Sequence, residues 1–435
     1  MENNEIKMIK SERDEDLILL DNNKFRFIRK RKDTRMKWKC SNNICTASIL
    51  TDSEKKTIIE RLGKHNHSNI PTSTIERQVV RENCKRKAVD SISTKLNKII
   101  RTELLTDNYS NLCNKDYRTI RKCMYTERRK YYPQFPKSLD EVYTQLKENQ
   151  NETNLMCKGE KFIHVPDNQL FICLTTAKNI EFMTTCTDFF GDGTFEYAPK
   201  YFLQLYTIHC FKNGHYVPVV YFFLNDKLKE TYINMWKFIV DLCFKLTKKV
   251  LTIPNLHLEF ERGAHEAVKE VFPDINIVSC RFHLGQAWWR KINSESELRN
   301  AYKNPDDDLG NWLKMFFGLQ FLDHDEVEDG FVELIAICPN EEIGHIFSDY
   351  VLNNYIEPEC PFNTNLWAMK PSENPGTTNS AESFHRTYNS QFYSSHPAIY
   401  IVIKILIETQ AETVLKIATI EREYVGLRYP AITDI

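Results

Sequence analysis

The chain has 435 residues, 42% of them hydrophobic and 27% charged, an ordinary composition for a folded protein of roughly two to three domains. It excludes a fully disordered or collagen-like chain, and no apolar run approaches the ~20 residues of a membrane span. The net charge of −1 divides unevenly: residues 1–133 hold 31 Lys and Arg against 18 Asp and Glu, and the remainder holds 27 against 41. A basic front on an acidic back points to a nucleic-acid-binding head joined to a body of another kind. The thirteen cysteines are odd in number and scattered, and the first sixteen residues are too polar and acidic for a secretory signal. Reduced thiols or metal ligands are therefore expected rather than a disulfide framework.

In chain order, residues 1–16 read as a tail. Residues 17–20, 25–28, 36–40, 47–50 and 57–59 read as short strands separated by Asn- and Asp-rich turns. The stretches 75–86, 91–105 and 115–131 read as basic helices. A further helix follows at 138–148 and a polar linker at 149–154. Strands are then predicted at 161–165, 169–174, 182–191, 201–210, 216–223, 250–253 and 275–279, with helices at 230–246, 263–271 and 284–292. Residues 295–365 read as helical, with Trp312, Met315, Phe316, Phe317 and Leu319 in the core. A polar loop at 371–380 leads into a helix from 381, and 397–424 forms a long final helix.

The first constellation is Cys40 and Cys45 followed by His65 and His67. Two thiolates and two imidazoles make a closed tetrahedral zinc shell. Such a shell staples a segment too short to fold on its own core. The one-residue gap between the histidines is tighter than in the two-cysteine, two-histidine finger. With Phe25, Phe27 and Trp38 upstream, the segment 17–68 resembles the FLYWCH zinc finger, a β-rich family with Cys-x4-Cys and His-x-His pairs. The resemblance implies Zn²⁺ on Cys40, Cys45, His65 and His67. Arg26, Arg29, Lys30, Arg31, Lys32, Arg35, Lys37 and Lys39 fall on neighbouring strands, where Arg29, Lys30, Arg31, Lys32 and Lys37 are expected to contact DNA phosphates.

The second constellation is acidic. Asp192 ends an apolar strand with Gly191 and Gly193 beside it, leaving room for a metal and a phosphate. Glu259 and Glu261 follow, then Cys280 and His283, and much later Thr377, Asn379, Glu382 and His385. Over about 185–390 this order resembles the transposase domain of Mutator-like elements, the MULE family. That resemblance implies an RNase-H-like fold with an Asp-Asp-Glu triad and a helical insertion before the final Glu. Carried onto this chain, the triad is Asp192, Glu259 and Glu382, holding Mg²⁺ or Mn²⁺. Cys280, His283 and His385 complete the family's motifs.

One position departs from the family: Glu259 stands where its second Asp is expected. Two metal ions held ~3.5–4 Å apart align the nucleophile and leaving group, and a displacement of ~1 Å can cost about 10²-fold in rate. Asp188 and Glu261 are nearby carboxylates. Cys280 and His283 read either as metal ligands or as packing at a strand–helix junction. Trp288 and Trp289 read as core or as base-stacking residues, with core favoured. The triplets 85–87 and 128–130 read as phosphate-binding or nuclear-localisation clusters.

Together these readings describe an α+β multidomain chain. It has a small β-rich zinc finger at 17–68, a basic helical region and linker at 72–150, and an RNase-H-like α/β domain at 155–435 with an α-helical insertion at about 295–370. The expected function is DNA binding by a transposase-derived zinc protein, with metal-dependent DNA cleavage and strand transfer left open by the Asp-Glu-Glu version of the triad. The alternative is an inactive descendant acting as a transcriptional regulator or protein-interaction adaptor. DNA, a second copy of the chain and a nuclear location are the expected partners and place, with no membrane.

Overall fold

A computed structural model describes residues 6–92, 94–130, 132–370 and 379–428. The chain divides into two compact units, Met1–Phe135 and Pro136–Ile435. The loop expected at 371–380 falls mostly outside the described residues, and Thr377 with it. Among the described residues, no helix is long and apolar enough to cross a membrane.

The first unit opens with a six-stranded antiparallel sheet: β1 (Lys7–Lys10), β2 (Asp16–Leu20), β3 (Asn23–Lys30), β4 (Met36–Cys40), β5 (Ser48–Thr51) and β6 (Ile58–Leu62), in sequence order. The first strand corrects the expected tail. Lys7 to Lys10 pair antiparallel with Asp16 to Leu19. The edge strand is too short and too polar to show a period in sequence, and its backbone pairing alone recruits it. Alternation is clear in β4, where Trp38 and Cys40 are buried and Lys37 and Lys39 are not. Trp38 is fully buried, and its indole N–H donates to Thr51 Oγ1 at 3.1 Å.

Three helices follow: α1 (Thr72–Asp90), α2 (Leu96–Leu104) and α3 (Asn114–Lys130). Their apolar stripes meet in a separate small core of Val80, Cys84, Ala88, Leu96, Ile100, Ile120 and Met124. The basic triplets are partly spent on this packing. The Arg128 guanidinium donates to the carbonyls of Ala88, Ser91 and Thr94, stapling α3 to the α1–α2 connection. Lys85 pairs with Glu82, and Lys87 with the buried Glu103.

The second unit runs α4 (Leu139–Asn149), β7 (Ile163–His164), β8 (Phe171–Leu174), α5 (Ala177–Met183), β9 (Asp188–Thr194), β10 (Gln204–Lys212), β11 (His215–Leu224), α6 (Lys229–Thr247), β12 (Asn255–Leu258), α7 (Arg262–Val271), β13 (Asn276–Ser279) and α8 (Arg281–Ser294). The seven strands form one sheet in the order β13-β12-β9-β10-β11-β8-β7. It is mixed: β13 lies parallel to β12 and β12 to β9, while the other pairings are antiparallel. Two expected strands are corrected. Residues 182–183 end α5, which Thr176 caps by accepting from the Asn179 amide. Residues 250–253 form no strand; pairing starts after Pro254, which has no N–H to donate.

The predicted insertion is helical: α9 (Ser296–Lys303), α10 (Asp308–Met315), α11 (Val327–Ala336) and α12 (Glu341–Val351). It is continuous with the sheet's core through Trp288, Trp312, Phe316 and Phe347. Met315 is the exception to the expected core and is half-exposed. α13 (Asn379–Asn389) and α14 (Ile399–Arg428) end the described chain. α14 is pinned by a buried reciprocal amide pair: Gln410 donates to Asn179 Oδ1 at 2.6 Å, and Asn179 donates back at 2.9 Å.

Candidate functional site

Strand register builds the acidic centre. Asn255, Leu256 and His257 of β12 stand beside Asp188, Phe189 and Phe190 of β9. Continued two residues, the same register sets Glu259 alongside Asp192. In β13, Ser279 stands beside Leu258, so Cys280 begins just where β12 ends. Three parallel strands thus deliver Asp192, Glu259 and Cys280 at their carboxyl ends, the side of an α/β sheet where ligands bind. Cys280 is the N-cap of α8, whose first turn carries His283. Glu382 and His385 are three apart on α13 and so share a face.

The side chains converge. Asp192 is 2% exposed, and its Oδ2 lies 3.2 Å from His385 Nδ1. The Gly193 amide donates to Asp192 Oδ1 at 2.8 Å and approaches Glu259 Oε1 at 3.4 Å. His283 Nε2 stands 3.7 Å from Glu259 Oε1 and 3.5 Å from Glu382 Oε1. Asp192, Glu259 and His283 each offer a ligand atom within 4.8 Å of the others, as do Cys280, His283 and Glu382. His283 belongs to both groups.

The carboxylates are electrostatically unequal. Burial and the neighbouring Asp192 push Glu259 well above the usual carboxylate range. Burial opposes the charge on Asp192 too, but a hydrogen bond with Glu259 and the His385 ring hold its carboxyl below its ordinary value. Two carboxyls this close favour one proton between them. Burial also raises Glu382. Its Oε1 is buried and makes no hydrogen bond among the described residues. Hard carboxylate oxygens with an orphaned acceptor fit a divalent cation; the chemistry such an ion supplies is polarisation of a phosphate and activation of water.

Behind Asp192 lies a network that the sequence reading missed. Thr207 stands opposite Asp192 on β10. Its hydroxyl lies 3.0 Å from both His385 Nε2 and His209 Nε2, and 3.2 Å from the Asp192 carbonyl oxygen. The signal was present: Thr207 and His209 share a face of β10 whose other members, Leu205 and Phe211, are apolar. Burial lowers His209 to about 3, so its ring is neutral.

Two local expectations are corrected. Gly191 and Gly193 leave no room for a ligand. A Cβ on Gly191 would collide with the Tyr206 hydroxyl, and one on Gly193 with the Gln204 amide. They face the side of β9 opposite to Asp192, since side chains alternate. Nor do Asp188 and Glu261 face the centre. Asp188 accepts from Thr187 and approaches His257, while Glu261 accepts from Tyr232 and pairs with Lys227 at 3.1 Å.

The sulfur–nitrogen centre is compact. Cys40 Sγ lies 3.2 Å from His67 Nε2, Cys45 Sγ lies 3.4 Å from His65 Nδ1, and the two imidazole nitrogens are 3.2 Å apart. Bonds of ~2.0–2.3 Å to zinc place tetrahedral ligands about 3.3–3.8 Å apart, so the set fits Zn²⁺. His67 Nδ1–H donates to the Ser68 carbonyl at 2.9 Å, which orients Nε2 toward the metal position.

Residues 189–287 match the MULE transposase domain, and residues 8–67 match the FLYWCH zinc finger domain. The FLYWCH match takes in most of β1, and the MULE match holds Asp192, Glu259, Cys280 and His283. Among solved structures, the chain is similar to the Drosophila P element transposase strand transfer complex at 10% identity and a TM-score of 0.22, covering 59% of this chain and 71% of that one. No curated protein matches the chain.

On the FLYWCH sheet, Arg26 stands directly across from Lys39, and Arg29 from Lys37, with a bulge between the pairs. Arg29, Lys30, Arg31 and Lys32 are exposed, and Lys37 is half-buried. Among the described residues none of these seven side chains pairs with an acid. Like charges directly across a sheet are destabilising, so this ladder suits a polyanion.

Proposed function

We propose that the chain is a transposase-derived, nuclear DNA-binding zinc protein whose second unit is an RNase-H-like body. The FLYWCH finger contacts DNA phosphates through Arg29, Lys30, Arg31, Lys32 and Lys37. In the body, Asp192, Glu259 and Glu382 hold Mg²⁺ or Mn²⁺ for cleavage of a DNA phosphodiester and transfer of the freed strand. The carrying observation is His283, which joins Asp192 and Glu259, at the carboxyl ends of β9 and β12 inside the segment that matches the MULE transposase domain, to Glu382 of α13. Asp192 is the best-held ligand, oriented by His385, whose other ring nitrogen meets the Thr207 hydroxyl. His283 stands between the two glutamates and is placed to contact the scissile phosphate. Pairing of two DNA ends implies a homodimer.

A second reading has its own support. Glu259 is one methylene longer than the family's Asp and bonds the Gly193 amide, an arrangement that also suits a DNA binder that no longer cuts.

Calorimetric titration of Mn²⁺ into the zinc-loaded chain separates the two. Binding that Asp192→Asn and Glu382→Gln both abolish supports the cleavage reading, to be followed by nicking of supercoiled plasmid. A folded chain that takes up no Mn²⁺ leaves only the binder.

A further inference from the structure

Adjacent tryptophans in α8 have opposite fates. Trp288 is fully buried against Phe317, Tyr355 and Trp367. Trp289 is 49% exposed. It shares a groove of about 490 Å³ with Arg281, Phe282 and Gln286 of α8 and with Phe321. Phe282 and Phe321 are 42% and 46% exposed. Three large aromatic side chains left open to water around one groove carry a hydrophobic cost that packing does not explain.

The groove also has polar edges. The Arg281 guanidinium lies 5.3 Å from the Phe321 ring centroid and donates one N–H to the Met369 carbonyl. Gln286 Oε1 accepts from Arg290. An aromatic face, a guanidinium plane and a side-chain amide match a flat ring with hydrogen-bonding edges. The positive charge of Arg281 complements an attached phosphate.

Position narrows the occupant. The Phe282 ring meets the His283 ring edge-on, with centroids 5.7 Å apart, and His283 Nε2 is 3.5 Å from Glu382 Oε1. The groove therefore begins where the carboxylate centre ends. Within a duplex the base faces are already stacked, so only an unpaired base has a face to offer.

We propose that this groove binds an unpaired nucleobase of the DNA strand whose phosphate lies at the Asp192, Glu259 and Glu382 centre. The proposal rests on the DNA reading above and adds the form of DNA preferred: an unpaired or flipped nucleotide next to the scissile bond.

The test is fluorescence anisotropy with the full zinc-loaded chain and two labelled probes, a blunt duplex and the same duplex with a short single-stranded thymine extension. Stacking worth ~1–3 kcal/mol per base corresponds to about 5- to 150-fold tighter binding of the extended probe. Trp289→Ala should remove most of that advantage while changing blunt-duplex affinity less than about twofold, and Trp289→Phe should retain it. A wild type that binds both probes equally overturns the proposal and leaves the DNA reading intact; the groove would then be assigned to a protein segment. Equal weakening on both probes by Trp289→Ala also overturns it. Failure to bind either DNA removes the DNA reading itself.

Discussion

Glu259 Oε1 stands 3.4 Å from the amide nitrogen of Gly193, the residue after Asp192. The longer side chain reaches across from the end of β12 to the backbone of β9. Shortening it by one methylene withdraws the carboxylate by about 1.5 Å and breaks that contact. Glu259→Asp restores the family's residue but not the geometry this chain has built around Glu. Plasmid nicking in Mn²⁺ should fall by about 10²-fold in Glu259→Asp, the cost of a displacement of ~1 Å. A faster variant would mean that Glu259 is a decayed position and that the surrounding backbone still expects Asp.

Cys40 and Cys45 belong to the finger's own small core, with Ile18, Phe25, Trp38 and Ile49. A core of that size is stabilised largely by its metal. Cys45→Ser should lose one equivalent of zinc by elemental analysis and abolish the finger's thermal transition. The transposase-like unit, with a separate core, should melt unchanged. Zinc retained at wild-type stoichiometry would refute Cys45 as a ligand.

Local chemistry was legible and tertiary pairing was not. The spacing of Cys40, Cys45, His65 and His67, with a strand pattern around them, marks a metal shell before any coordinates. Asp192, Glu259 and Glu382 were marked by motif order. What brings Glu259 beside Asp192 is the β9–β12 register, a long-range pairing that periodicity does not encode. β1 was hidden because a polar edge strand gains order only from its neighbour. Thr207 and His209 were hidden because their role depends on His385 arriving from α13. Trp288 and Trp289 show the same limit: adjacent and alike in sequence, they are separated only by which face of α8 meets the insertion.

His164 gives the second unit a pH signature of its own. It lies on β7, with Nε2–H donating to the Thr175 carbonyl at 3.3 Å. Burial lowers it to about 4, against about 6.5 in an unfolded chain. The unfolded state therefore takes up the proton first. The neutral ring contributes its full stability above about pH 6.5, and this is lost as pH falls toward about 4. A shift of that size corresponds to about 3 kcal/mol as an upper figure. In denaturant unfolding of the second unit, His164→Gln should flatten the acid side of the pH–stability curve. Part of the slope remains, because His257 is lowered to about 4 by burial as well. An unchanged slope in the variant would show that His164 is protonated without cost in the folded state.

The basic ladder predicts a salt dependence with a built-in control. Arg29 stands opposite Lys37, and the neighbouring Arg26 opposite Lys39, an arrangement that costs stability until an anion lies across it. Each phosphate neutralised releases counterions and contributes about 0.9 to the slope of log K against log salt. Replacing Arg29, Lys30, Arg31 and Lys32 by Ala should lower that slope by up to about 4 on duplex DNA, and should stabilise the DNA-free finger or leave it unchanged. Lys85→Ala is the control. Its ammonium is engaged by Glu82 at 2.9 Å, so its removal should leave the slope unaltered. Equal slopes in all three proteins would place DNA contact elsewhere on the chain, whereas a loss confined to the four-residue variant assigns it to the hairpin of β3 and β4.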